Sequence, residues 1–212
     1  MGKSIENWFG ENETNKVVES NSELSPVTEY RVIGQLFNSF VLIQDQNHFQ
    51  IIDQSRAHER ILFEEIQEKL ENNAIETQNL IFPTEIDLPD SELKFLIGSE
   101  VLDKSGFVYE VKEEKIILNG LPVYAVNQDI QALIDELNDS VQLEQNSDEG
   151  INQKIALSLA KNLKIKKGKK LEKLEMEKLV EDLFHTSTPL YSPRGKQTIV
   201  SFTPDKLSNL FQ

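Results

Sequence analysis

From Tyr30 to Asp45 the chain reads YRVIGQLFNSFVLIQD, alternating at first and then running apolar, which predicts a β-strand. HFQIID, residues 48–53, predicts a second strand, and the turn residues DQN at 45–47 make the two a hairpin. The period then lengthens. Leu62, Ile66 and Leu70 recur every four residues, the signature of a helix face, with Ser55 as an N-cap. NLIFPTEIDL, 79–88, predicts a third strand in which Pro83 marks an edge or a bulge.

A second group of elements starts at Pro89. SELKFLIGSEVLDKSGF predicts one helix ending before Gly106, and FVYEV (107–111) and KIILNGLPVYAV (115–126) predict strands. Ile130, Leu133, Ile134 and Leu137 fall on one helical face, and LNDSVQLEQNSDEG (137–150) predicts a polar loop. Ile151, Ile155 and Leu159 begin another helix, which KNLKIKKGKK (161–170) interrupts. Leu179, Val180, Leu183 and Phe184 mark the next helix. TIVSF (198–202) predicts a last strand and Pro204 to Phe211 a short closing helix. Mixed order of strands and helices defines an α+β fold. Two lobes are expected. The first comprises 27–88 and 186–212, with a mixed sheet plus helices, and an α/β lobe of 89–185 is inserted into it. Residues 1–26 are polar and acidic and predict a flexible tail.

Composition narrows the function classes. The 212 residues carry a net charge of −14, so the surface as a whole repels nucleic acid, and any contact with it must be local. The chain has no cysteine, which excludes disulfides and thiolate metal ligands. No apolar run approaches the roughly 20 residues that span a bilayer, and no signal peptide opens the chain, so a cytoplasmic protein without a membrane partner is expected.

Three separated motifs in order, GQLFNSFVLIQD…FQIIDQSRAHER, then GFVYEV with LNGLPVYAV, then YSPRGKQTIVSFTPDKLSNLF, resemble the C-terminal domain of the MutL mismatch-repair family. The resemblance covers about residues 29–212. It implies a homodimerisation domain with an inserted external subdomain, in a matchmaker that couples mismatch recognition to strand removal. It also implies an ATPase domain elsewhere in the full-length protein, using ATP and Mg, and partners that include MutS, a sliding clamp, and a helicase or a separate nicking endonuclease.

In many members of that family the domain also nicks DNA with bound zinc or manganese, through an Asp-Gln-His-Ala-x-x-Glu-Arg signature. Here Asp53, Gln54 and Glu59 match it, and Glu64 matches its second acid. Ser55 stands at the His and Arg56 at the first Ala. His58 is turned about 100° from Glu59 on a regular helix. In the C-terminal motif Ser192 stands at the Cys and Arg194 at the His, and a loose alignment puts Lys161 at a middle Cys. Zinc takes thiolate, imidazole and carboxylate ligands, so the expectation is no metal, no cofactor in this domain and no catalytic residue. Asp53, Glu59 and Arg60 then read as structural, with Asp53 accepting helix N-terminal amides. A metal-dependent nicking domain is the alternative, and an unrelated acidic interaction domain is a third reading.

Two other stretches carry open readings. QNLIFP resembles the family's sliding-clamp-binding segment, with Gln78, Leu80, Ile81, Phe82 and Pro83 as contacts, or it is an ordinary strand. Lys161, Lys164, Lys166, Lys167, Lys169 and Lys170 contact the DNA backbone, weakly and locally, or they form a solvated helix end. The resemblance places the dimer interface on the first lobe's sheet, where FVLI (40–43) or the closing LSNLF would have two apolar faces to bury.

Overall fold

The computed structural model describes residues 30–113, 115–126, 128–143 and 150–212, without the side chains of 140, 141 and 143. The tail expected at 1–26 lies outside them. The chain runs β1 (Arg31–Leu36), β2 (Phe40–Gln44), β3 (Phe49–Asp53), α1 (Gln54–Glu71), β4 (Thr77–Ile86), α2 (Asp90–Gly98) and α3 (Val101–Lys104). It continues through β5 (Val108–Lys112), β6 (Lys115–Pro122), α4 (Ile130–Leu143), α5 (Ile151–Leu163), α6 (Lys173–His185), β7 (Ile199–Phe202) and α7 (Pro204–Asn209).

Four strands in the order β1-β2-β3-β7 form one sheet and three in the order β4-β6-β5 form the other, so the fold is α+β. Every pairing in both sheets is antiparallel. The C-terminal β7 returns to pair with β3, which closes the first lobe.

Two cores lie on either side of α1. Val41, Ile43, Ile52 and Ile199 from the first sheet pack with Ala57 and Ile61 of α1 and with Met176, Leu179, Val180 and Leu183 of α6. Phe63, Ile66 and Leu70, further along α1, enter the other core with Ile116, Leu118, Leu133, Ile134, Leu137, Ile155 and Leu159. An 18-residue helix can serve both because its apolar stripe passes from one layer to the next along its length.

Several expected elements fall differently. The apolar run 30–45 is a hairpin of its own, β1 and β2, because Phe37 and Asn38 both adopt left-handed backbone (φ 51 and 47). Two consecutive positive φ values make a mirror-image tight turn that matches strand twist. β4, expected with the first sheet, pairs with β6 in the second. α6, expected in the inserted lobe, packs on the first sheet through Leu179, Val180 and Leu183, the face the periodicity marks. The helix expected over 91–105 breaks into α2 and α3 at Glu100, whose φ is 58. α4 continues through the expected polar loop as far as Leu143.

Candidate functional site

The β3–α1 junction is built on two side chains of the Asp-Gln pair. Asp53, not Ser55, caps α1, its Oδ1 accepting the backbone N–H of Ser55 and of Arg56 at 3.0 Å each. That satisfies two of the amides a helix start leaves without partners. The Arg56 guanidinium lies 3.3 Å from the second oxygen of Asp53 and donates to the Gln197 carbonyl at 2.7 Å. Gln54 is fully buried; its amide nitrogen donates to the carbonyls of Asn38 and Lys169, and its oxygen accepts from Gln35.

Those contacts fix the loop after α5. Gln35 also accepts from the Leu171 amide, the Gly168 amide donates to Asn38, and His58 Nδ1 accepts the Ile165 N–H at 3.0 Å. Gly168 has φ +86, a backbone that side chains beyond glycine seldom adopt, at the point where the loop meets the hairpin turn. Burial, and secondarily Lys169, lowers the His58 pKa to about 4, so the ring is neutral and can accept.

The docked loop carries Lys164 over Glu59. Glu59 is only 4% exposed; Lys164 Nζ donates to its Oε2 at 2.5 Å, and Arg194 Nε stands 3.6 Å from Oε1. Beside them opens a cavity of about 280 Å³. Its walls are Ser55, Arg56 and Glu59 of α1, then Lys161, Lys164 and Lys167, then Ser192, Arg194 and Lys196. Lys161 pairs with Glu136 of α4.

Of the sequence candidates, Ser55, Glu59, Lys161, Ser192 and Arg194 converge on this cavity from three distant segments. Asp53 stands at the edge, engaged as a cap. Glu64 is not part of the site: Arg60 pairs with it at 3.5 Å, and it accepts from the amide and hydroxyl of Ser187 at 2.8 Å. Arg60 donates to the Tyr191 carbonyl, so it pairs with neither Asp53 nor Glu59. The six lysines separate as well. Lys161, Lys164 and Lys167 line the cavity, whereas Lys166 and Lys170 are exposed elsewhere and Lys169 lies 3.9 Å from Glu175.

The donor set does not suit a metal. Two of the family's ligand positions carry cations, two carry serines, and the single carboxylate is already held by Lys164 and Arg194. Among the described residues no three His, Asp or Glu side chains converge as metal ligands. Sequence reasoning gives no role to Lys196 or Gln35, although both lie inside the quoted motifs.

Two apolar features lie away from the cavity. Leu36, Phe40, Leu42, Phe49, Ile51, Val200 and Phe202 share the face of the first sheet opposite its core, as the register dictates, and none belongs to either core. In β4 the register breaks between Asn79 and Thr84, and Ile81 and Phe82 stand 90% and 82% exposed in that break.

A two-lobed α+β protein with antiparallel sheets, one of them apolar on its outer face, is the class this architecture defines. The family model for the MutL C terminal dimerisation domain matches residues 33–171, and the chain belongs to that family. Similar curated proteins are each named DNA mismatch repair protein MutL. The one from Clostridium tetani is 30% identical over 96% of this chain and 34% of its own length. Those from Thermoanaerobacter pseudethanolicus and Flavobacterium johnsoniae are 28% and 29% identical over 92% and 84% of this chain, and 32% and 28% of their own lengths. The chain spans about a third of the length of the curated relatives it matches. Among the described residues no helix is long and apolar enough to cross a membrane.

Proposed function

We propose that this chain is the self-association domain of a DNA mismatch-repair protein, and that it does not nick DNA. The dimer reading rests above all on the outer face of the first sheet. Side chains there alternate with the core set along every strand, so polar residues are expected if the face meets water. Instead Leu36, Leu42, Ile51 and Val200 occupy it, and Phe49 stacks near Phe202 with ring centroids 6.3 Å apart. An apolar patch of this kind, in a chain of a dimerisation family, suits a second copy with the same face. Sedimentation at micromolar concentration is expected to give a dimer, and Ile51→Lys with Val200→Glu a folded monomer. A monomeric wild type, or a variant that still dimerises, would overturn the interface.

The absence of nicking is supported by the cations at the ligand positions and the engagement of Glu59. The domain then contributes no ligand for zinc or manganese beyond that one acid.

A partner-binding role for QNLIFP is supported by Ile81 and Phe82. Large apolar side chains this exposed, in a strand segment released from its neighbour, are presented to a pocket. The partner that fits is the sliding clamp. Ile81→Ala with Phe82→Ala is expected to abolish binding to the organism's clamp in surface plasmon resonance while leaving the melting temperature unchanged, since neither side chain is in a core. Binding that survives would assign the stretch to the sheet alone. Other partners, and ATP with Mg, belong to the whole protein.

A further inference from the structure

The cavity beside Glu59 has the chemistry of an anion site. Six cations line it, and three carboxylates, Asp53, Glu59 and Glu136, pair with members of the set. Three positive charges are therefore uncompensated, in a chain whose net charge is −14. Lys167 and Lys196 have no ion-pair partner among the described residues. The hairpin and His58 hold the loop that bears Lys167, so its position is built rather than accidental. Positive charge gathered in a concavity focuses the local field and draws anions against the overall repulsion. Ser55 and Ser192 add hydroxyl donors, and Arg194 adds a planar fork of N–H groups.

We propose that this cavity binds a phosphate group of a DNA backbone. A phosphate accepts several hydrogen bonds at once, and mixed Lys, Arg and Ser donors are what its oxygens take. A polymer fits better than a free anion because the rim is open: Arg56, Lys161 and Arg194 keep 37%, 42% and 46% of their side-chain surface exposed. The choice of DNA rests on the mismatch-repair reading, whereas the choice of phosphate rests on the cavity alone. Lys164 stays on Glu59 and forms the floor.

Fluorescence anisotropy with a labelled duplex, titrated at several salt concentrations, tests this. Wild type is expected to bind at low salt. Lys167→Glu with Lys196→Glu is expected to weaken binding at least ~10-fold and to flatten the salt dependence by about 0.9 in log–log slope, the value for one phosphate contact. Lys166→Glu with Lys170→Glu makes the same charge change outside the cavity and is expected to cost far less. Equal losses from the two pairs, or no binding by wild type, would overturn the proposal. Inorganic phosphate at matched ionic strength is expected to compete with DNA and to raise the melting temperature of wild type and of the Lys166/Lys170 variant, but not of the Lys167/Lys196 variant. Phosphate protection without DNA binding would overturn the assignment to DNA. Sedimentation of each variant keeps the two readings apart, since a dimer that no longer binds DNA has lost the cavity and not the interface.

Discussion

At the scale of single residues, the acid that the sequence marks most strongly is held by cations. Glu59 lies where the resemblance implies a metal ligand, yet its buried carboxylate is paired with the half-buried Lys164 and the more exposed Arg194. Removing one partner of such a pair strands the other, which explains why Glu59 belongs with those cations as a structural unit. His58, an unremarkable residue in sequence, has a clear duty as acceptor for the Ile165 amide. Its pKa in the fold is about 4 against 6.5 ordinarily. The unfolded chain therefore binds a proton between those values and the folded chain does not. Stability is full above about pH 6.5 and falls as the pH drops toward 4. Between pH 7 and pH 5 the loss expected from this group is about 2 kcal/mol. Urea denaturation at the two pH values checks it, and His58→Gln should show a smaller difference. An unchanged difference in the variant would place the pH dependence elsewhere.

At the scale of elements, the β3–α1 junction gives the Asp-Gln pair a role that needs no metal. Asp53 caps the helix and Gln54 ties the hairpin to the lysine loop, so both have structural work independent of catalysis. Asp53→Ala is expected to destabilise the domain by about 1 kcal/mol, the usual cost of losing an N-cap, and Asp53→Asn by less because its amide oxygen still accepts. Thermal melts distinguish the two; equal effects would mean that charge against Arg56 matters more than the cap. Where element boundaries were misread, backbone conformation was responsible. Phe37-Asn38 and Glu100 adopt left-handed φ without the glycine that announces it, so a hairpin and a helix break stayed hidden in apolar runs.

At the scale of the whole molecule, α1 is the shared wall of two cores. Lobe membership therefore does not follow chain order: β4 crosses to the second sheet and α6 returns to the first. This arrangement places the end of α5 and the 192–196 turn against the start of α1, creating the cavity. Supercoiled plasmid incubated with the domain and manganese is expected to stay closed, with wild type and with Asp53→Asn alike. Nicking by wild type that Asp53→Asn abolishes would restore the metal-dependent reading.

Periodicity alone determined most elements, because burial of one face imposes a repeat of two or of about 3.6 on the residues themselves. The ordered motifs determined the family in the same direct way, and Ser55, Ser192 and Arg194 were legible at the positions where the resemblance implies ligands. Tertiary structure alone decided what surrounds them. The distances between Lys164, Lys167, Arg194 and Lys196 depend on a loop held by Gln35, Gln54 and His58, more than 100 positions away for some partners. No local pattern records which of several lysines such a loop turns inward. Likewise the outer face of the first sheet became visible only once strand register separated Leu42 and Ile51 from Val41 and Ile52.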